Sequence, residues 1–132
     1  MGFSLFKRKN TNYSLHAKDV GNFYDEYFDQ FQKVYGNIIQ AFRTIKPISL
    51  LEYEFNSAGF LEGQTLLDAG CGVGGPALFF AKNYNVSIDA LTVSKKQFNA
   101  LTNEIQINKG LKIRPHLADY HEMSKIFSKP SF

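Results

Sequence analysis

Residues 65–76 read Thr-Leu-Leu-Asp-Ala-Gly-Cys-Gly-Val-Gly-Gly-Pro, and this stretch decides the fold of the chain. Its first five residues form a short, mostly apolar run, which predicts a buried β-strand. The glycines that follow permit positive φ angles and let a ligand approach the backbone, because glycine has no Cβ. Pro76 stands where the first turn of a helix accepts proline. The stretch therefore predicts a strand, a tight turn and a helix whose N-terminus favours an anionic group.

Further elements follow this stretch in the same alternating order. Residues 86–93 and 111–118 predict two more strands, the second interrupted by Pro115. Between them, Ser94 and Gln97 have the spacing of a capping box, so a helix is predicted to begin there. Its buried face is predicted to contain Phe98, Leu101 and Ile105. Strands that alternate with helices predict an α/β fold, a Rossmann-like parallel sheet with its ligand site beyond the carboxyl ends of the strands.

Two helices are predicted ahead of the first strand. From residue 22 to residue 42 the apolar residues recur in steps of three, four and one, which traces one helical face. A break at Pro47 precedes a second helix over 49–58, which is predicted to end at Gly59 as a left-handed C-cap. We therefore divide the chain into a tail (1–21), an N-terminal helical cap (22–62) and an incomplete ligand-binding domain (63–132).

Composition limits the class of protein. The 15 Lys and Arg against 12 Asp and Glu give a net charge of +3, too small and too spread out to favour a nucleic-acid partner. A hydrophobic content of 44% excludes a disordered chain. A single cysteine fits a reducing compartment, and no apolar run approaches the roughly 18 residues that span a bilayer. We expect a cytoplasmic protein without stable membrane insertion.

Two classes of ligand fit the glycine-rich turn. The spacing G-x-G-x-x-G from Gly70 satisfies the dinucleotide fingerprint. The spacing G-x-G-x-G from the same glycine, with Asp68 two residues earlier, resembles motif I of class I S-adenosylmethionine-dependent methyltransferases. Asp68 favours the second class, because a carboxylate repels a pyrophosphate, whereas the amino acid end of S-adenosylmethionine carries an ammonium. Thr92 also stands where NAD enzymes place an acid at the end of the second strand.

The resemblance extends beyond the turn. Residues 91–97, Leu-Thr-Val-Ser-Lys-Lys-Gln, are similar to a signature of the cyclopropane-fatty-acid-synthase, sterol and small-molecule methyltransferase branch. Upstream, Tyr35-Gly36 resembles the aromatic-plus-small pair of its N-terminal helix. The resemblance covers roughly Phe23 to Tyr120, and residues 66–74 are its most specific part. It implies S-adenosylmethionine as the cofactor.

The resemblance also implies a role for each matching position. The methionine end of the cofactor is expected at Asp68, Gly70, Gly72 and Gly74, with Tyr35 covering it. The ribose is expected at Thr92 and Gln97, and the adenine at Asp119 and Tyr120. The predicted cofactor site is completed by Cys71 and Val93.

Several of these residues have a structural interpretation as well. Thr92 could simply end a strand, and Gln97 could form half of the capping box. Asp119 could form a turn, and Tyr35 belongs to the apolar face of the predicted helix. Sequence alone leaves these alternatives open.

Two other polar residues need an interpretation. Cys71 has the chemistry of a catalytic thiol or a metal ligand. Because no second ligand stands near it at a suitable spacing, we predict a small residue in a crowded turn and no metal site. Asp89 lies inside the second predicted strand, and we expect it either to face solvent or to replace Thr92 as the ribose ligand.

The resemblance implies methyl transfer to a small-molecule or lipid acceptor. A complete class I methyltransferase resembles a seven-stranded sheet in the order 3-2-1-4-5-7-6, and this sequence predicts its first three strands, preceded by N-terminal helices. In this family the residues that act on the acceptor usually follow the fourth strand, so no catalytic residue is assigned. We expect a truncated enzyme. The alternatives are a subunit completed by self- or hetero-association, a non-catalytic cofactor-binding module and a fragment of an NAD-dependent dehydrogenase.

Overall fold

The computed structural model describes residues 16–38 and 47–127. Two helices come first and a third precedes the sheet: α1 (Ala17–Glu26), α2 (Phe28–Tyr35) and α3 (Pro47–Ser57). Strands and helices then alternate: β1 (Thr65–Ala69), α4 (Gly75–Asn83), β2 (Ser87–Thr92), α5 (Lys95–Ile107) and β3 (Ile113–Leu117). A short 3₁₀ turn (Tyr120–Glu122) and α6 (Met123–Ile126) follow. Among the described residues, no helix combines the length and apolar character needed to span a membrane.

The three strands form one parallel sheet in the order β1-β2-β3. Leu66 lies opposite Ile88, which in turn lies opposite Ile113. Pro115 is tolerated inside β3 because this strand pairs on one side alone within the described residues, and a proline on an edge strand breaks no second ladder. The predicted α/β class and the parallel sheet are confirmed.

One face of the sheet carries the core. Side chains from all three strands pack there against α3, α4 and α5, and the buried cluster includes Leu66, Ile88, Ala90, Ile113, Phe55, Ala77 and Leu101. Leu101 is fully buried as predicted, whereas Phe98 and Ile105 are only half-buried. At the rim of this cluster, Phe55 stacks on Tyr84 with ring centroids 3.8 Å apart.

The N-terminal helical region differs from its prediction. The helix begins at Ala17, inside the predicted tail, because tertiary contacts of α1 with the rest of the fold order this segment. It is interrupted at Tyr27, whose φ of −96° and ψ of 14° fall outside helical values, and α2 ends before Gly36. Phe23, Tyr27 and Val34 of the predicted apolar face are 41–65% exposed. Residues 39–42 of the predicted helix lie outside the described part.

Both expectations for Asp89 are wrong. Its side chain is buried and receives two hydrogen bonds from Arg114, at 2.8 Å from Nε and 2.5 Å from Nη2. His116 Nε2 lies 2.8 Å from the same carboxylate. Burial alone would raise the pKa of Asp89, but the hydrogen bonds from Arg114 and His116 outweigh it and hold the pKa below its ordinary value. Asp89 is therefore an anchor between β2 and β3.

Candidate functional site

A cavity of about 240 Å³ opens at the carboxyl ends of β1 and β2. Its floor is the glycine-rich turn between β1 and α4, one wall is the connection from β2 to α5, and α1 covers it from above. Residues that follow β3 close the remaining side. This position matches the rule for open α/β sheets, in which ligands bind beyond the carboxyl ends of the strands.

The glycine-rich turn is fastened to β2. The backbone N–H groups of Gly70 and Cys71 both donate to the carbonyl of Leu91, at 2.9 and 2.8 Å. Gly70 and Gly72 have φ of 100° and 56°, and a Cβ added to either would meet nothing within 4 Å. Both line the cavity, so the space in front of their backbone is open to a ligand.

Gly74 lies under a packing constraint that Gly70 and Gly72 do not have. Its φ is 83°, and a Cβ there would lie 2.4 Å from Cδ1 of the buried Leu101. Gly74 does not line the cavity. Its lack of a side chain lets the turn pack closely on α5, so the structure places it behind the cavity floor.

Asp68 lies at the end of β1 and lines the cavity. Its Oδ2 is buried and has no hydrogen-bond partner among the described residues. Burial raises the pKa of Asp68 from 3.8 to about 6. A buried carboxylate without a partner is unfavourable, so this atom is suited to a cationic ligand group.

Cys71 also lines the cavity, and its thiol is protected by burial in the closed structure. The side chain is buried, and Sγ donates to the carbonyl of Gly72 at 3.4 Å. Burial, aided by the negative charge of Asp68, raises the pKa of the thiol to about 12, so it stays protonated near neutral pH. Its environment favours the interpretation of a small residue in a crowded turn. No cluster of three or more metal-ligating side chains is found in ranges 16–38 and 47–127.

The wall after β2 is a closed hydrogen-bond network. Thr92 Oγ1 donates to Gln97 Oε1 at 2.7 Å and accepts from the backbone N–H of Ser94 at 3.2 Å. Ser94 is the N-cap of α5, and its Oγ accepts from the backbone N–H of Gln97 at 3.1 Å. The predicted capping box is therefore half formed, because the side chain of Gln97 turns to Thr92. Thr92, Val93 and Gln97 all line the cavity.

The remaining predicted residues separate into two groups. Tyr120 lines the cavity, but Asp119 does not. The carboxylate of Asp119 accepts from the backbone N–H of His121 at 2.9 Å and so caps the 3₁₀ turn. Tyr35 stacks on Phe31 with ring centroids 6.0 Å apart and is not among the cavity-lining residues. Both arrangements match the structural alternatives left open by the sequence.

Seven lining residues were not among the predicted site residues. Four of them are sequence neighbours of predicted ones: Val73, Pro76, Leu91 and Ala118. The other three, Val20, Tyr24 and Asn37, come from the N-terminal helical region. Val20 fell in the predicted tail, and Tyr24 belonged to an apolar helix face that indicated core packing. These three residues reach the cavity through tertiary contacts with segments far away in the sequence, which no local pattern reports.

The family follows from the sequence match. The model of the family described as mycolic acid cyclopropane synthetase matches residues 19–130, most of the chain. The chain belongs to the mycolic acid cyclopropane synthetase family. This family is S-adenosylmethionine-dependent, so the family and the cofactor class predicted from the sequence are confirmed.

Individual members of this and related groups match over part of their length. A cyclopropane-fatty-acyl-phospholipid synthase from Escherichia coli (strain K12) is 34% identical over 67 residues, 51% of this chain and 17% of that protein. A mycolic acid cyclopropane synthase complexed with SAH (S-adenosylhomocysteine) and CTAB is 29% identical, with a TM-score of 0.53, over 58% of this chain and 27% of that one. The cyclopropane synthase MmaA2 from Mycobacterium tuberculosis shares the fold, with a TM-score of 0.65 and 23% identity, over 92% of this chain and 45% of that one. The chain thus spans less than half the length of these relatives.

Proposed function

We propose that this chain is the cofactor-binding part of a cytoplasmic S-adenosylmethionine-dependent methyltransferase that acts on a small-molecule or lipid acceptor. One observation carries the proposal: Oδ2 of Asp68 is buried and unpaired beside an open glycine-rich turn. The ammonium of a methionine moiety would supply the missing partner. A pyrophosphate would instead bring negative charge against a carboxylate that forms no ion pair within residues 16–38 and 47–127.

The cavity residues suggest how the cofactor would be held. Gly70 and Gly72 would admit the methionine end against their bare backbone. Because the hydroxyl proton of Thr92 is donated to Gln97 Oε1, Thr92 would orient Gln97 and leave its Nε2 to donate to a ribose hydroxyl. Tyr120 would lie beside the adenine. Both contacts of Asp119 with His121 use Oδ1, so its predicted contact with the adenine would fall to Oδ2.

The chemistry of the bound cofactor is a methyl group on a sulfonium, which is its own electrophile and leaving group. The protein residues would bind and orient it, and Val20 and Tyr24 of α1 would cover it. Holding two reactants in line lowers a barrier by about 7–11 kcal/mol at best, so orientation is the main task of such a site. We assign no catalytic base among the described residues.

Calorimetric titration with SAH tests the proposal. We expect the wild-type chain to bind SAH at pH 8. Asp68→Asn should bind it with an affinity lower by at least about tenfold, because the variant keeps the shape of the side chain but loses its charge. Glu62→Gln, which removes an exposed carboxylate outside the cavity, should bind as wild type does. NADH that displaces SAH, or an Asp68→Asn variant with unchanged affinity, would contradict the assignment.

A second candidate is a non-catalytic cofactor-binding subunit whose sheet is completed by another chain. It is favoured by the free edge of β1, which pairs only with β2 among the described residues. A groove of about 260 Å³ lies beside this strand, and its lining is mostly apolar, with Glu54 and Asp68 as its acidic residues. Size-exclusion chromatography with light scattering separates the two candidates. A complex of fixed stoichiometry would support the subunit, whereas a monomer with concentration-dependent aggregation would support the enzyme fragment.

A further inference from the structure

Helix α1 reaches the cavity by close contact with its walls. A Cβ added to Gly21 would lie 2.4 Å from the carbonyl oxygen of Val93, so only glycine permits this approach. At the far end of the helical pair, a Cβ on Gly75 would lie 1.9 Å from the carbonyl oxygen of Asn37. The backbone that follows α2 therefore rests on the start of α4, while α1 rests on the end of β2. Together they cover the cavity from two sides.

One polar contact joins α1 to the same region. Asp25 Oδ1 accepts from Ser94 Oγ at 2.5 Å and from the backbone N–H of Lys96 at 3.0 Å. Both donors lie in the first turn of α5, where backbone N–H groups lack intrahelical partners and a negative charge is favoured. Ser94 is fully buried, and its Oγ also accepts from Gln97. Ser94 Oγ therefore links Asp25 to Gln97, whose side chain pairs with Thr92.

The N-terminus of α5 is already capped without the hydrogen bonds to Asp25. Ser94 already caps the helix by accepting from Gln97, which is what an N-cap serine ordinarily does. The carboxylate of Asp25 comes from a different helix, 69 residues away from Ser94 in sequence. Its particular effect is to fix the distance and angle between α1 and α5.

We infer that Asp25 is a positioning residue that holds α1 closed over the cofactor cavity. It fastens α1 to the start of α5, and so keeps Val20 and Tyr24 against the cavity and Ser94 in the orientation that Thr92 and Gln97 require. The inference about the closure of α1 stands on contacts within the chain, and only its effect on cofactor affinity rests on the proposed function.

The one cysteine of the chain offers a direct readout. Cys71 is 6% exposed and lines the floor of the cavity that α1 covers. Its reaction with a thiol reagent under native conditions therefore reports the opening of this region. We expect Asp25→Ala, which removes the acceptor of both hydrogen bonds, to be labelled at least about fivefold faster than wild type. The urea midpoint of unfolding should change less than global unfolding would require for that increase. Asp29→Ala, which removes an exposed carboxylate on α2, should be labelled at the wild-type rate.

Calorimetry on the same proteins separates this inference from the proposed function. Weaker SAH binding by Asp25→Ala, together with faster labelling, supports it. Faster labelling in a chain whose wild type binds no SAH supports the closure of α1 and contradicts the proposed function. Labelling of Asp25→Ala at the wild-type rate overturns the inference. If that variant does not fold, hydrogen exchange of the wild type decides: protection of the Lys96 amide like that of the α5 interior supports the contact, and exchange as fast as an exposed amide overturns it.

Discussion

Asp68, which is expected to bind the cofactor, lowers the stability of the free protein when it is ionised. Its pKa in the folded chain is raised from 3.8 to about 6, so between these values the folded protein holds a proton that the unfolded chain has lost. The ionised side chain therefore destabilises the free protein above pH 6, and this cost disappears as the pH falls to about 4. A residue that lowers stability in the free protein is typical of a site that awaits a charged ligand.

Asp68→Asn is expected to stabilise the free chain at pH 8. The raised pKa corresponds to a gain on the order of 1–3 kcal/mol in the free energy of unfolding, because the variant carries no buried charge. Urea denaturation at pH 8 and pH 4 measures it, with the difference between variant and wild type shrinking at pH 4. A variant less stable than wild type at pH 8 would show that Asp68 has a structural partner after all.

Gly72 and Gly74 are expected to differ in their response to alanine, the first mainly in SAH binding and the second mainly in stability. Gly72→Ala places a methyl group in open space at the cavity, so SAH binding should weaken. The free energy of unfolding should fall by about 1–2 kcal/mol, because alanine is strained at a positive φ. Gly74→Ala adds a clash with the buried Leu101 to the same backbone strain, so its loss of stability should be larger. Urea denaturation and calorimetry of both variants check this. Equal losses of stability would contradict the division of roles.

At the scale of elements, α1 is the least predictable part of the site. The structure of residues 65–76 is predictable from these residues alone, because the glycines favour a turn and Pro76 favours the start of a helix. The position of α1 instead depends on contacts with Val93 and Ser94, which lie far away in the sequence. The apolar spacing in α1 predicts a buried face, but it does not say which surface of the protein that face packs against. Asp89 was misread for the same reason, because its partners lie on β3.

Gly21→Ala tests the packing of α1. Alanine in place of a helical glycine ordinarily stabilises by about 0.5–1 kcal/mol, through lower backbone entropy in the unfolded chain. Here we expect the opposite sign, a loss of about 1–3 kcal/mol, because the new methyl group would strike the carbonyl oxygen of Val93. Asn22→Ala, at an exposed neighbouring position of α1, is the matched control and should change the unfolding midpoint little. A stabilised Gly21→Ala would mean that α1 does not approach β2 this closely.

For the whole molecule, the sheet and its helices were predictable from periodicity and turn residues. The strand at 65–69 matches its prediction, and β2 and β3 differ only at their ends, where pairing stops. The site was predictable where it is built from one continuous stretch, as at Asp68 and Gly70. It was less so where it depends on side-chain orientation, since Asp119 and Tyr35 make contacts outside the cavity lining. The match to the family covers residues 19–130.

Cofactor binding at the proposed site depends on one ionised carboxylate, that of Asp68, which receives the ammonium of the cofactor. The most direct measurement is the affinity for SAH from pH 7.5 to pH 5, with the protons released on binding determined in buffers of different ionisation enthalpy. Because an ammonium lowers the pKa of Asp68, we predict that wild-type affinity falls as the pH drops below about 6 and that binding there releases protons. Asp68→Asn should bind weakly and without this pH dependence. Wild-type affinity that stays constant across the range, or a pH dependence that persists in Asp68→Asn, would contradict the account.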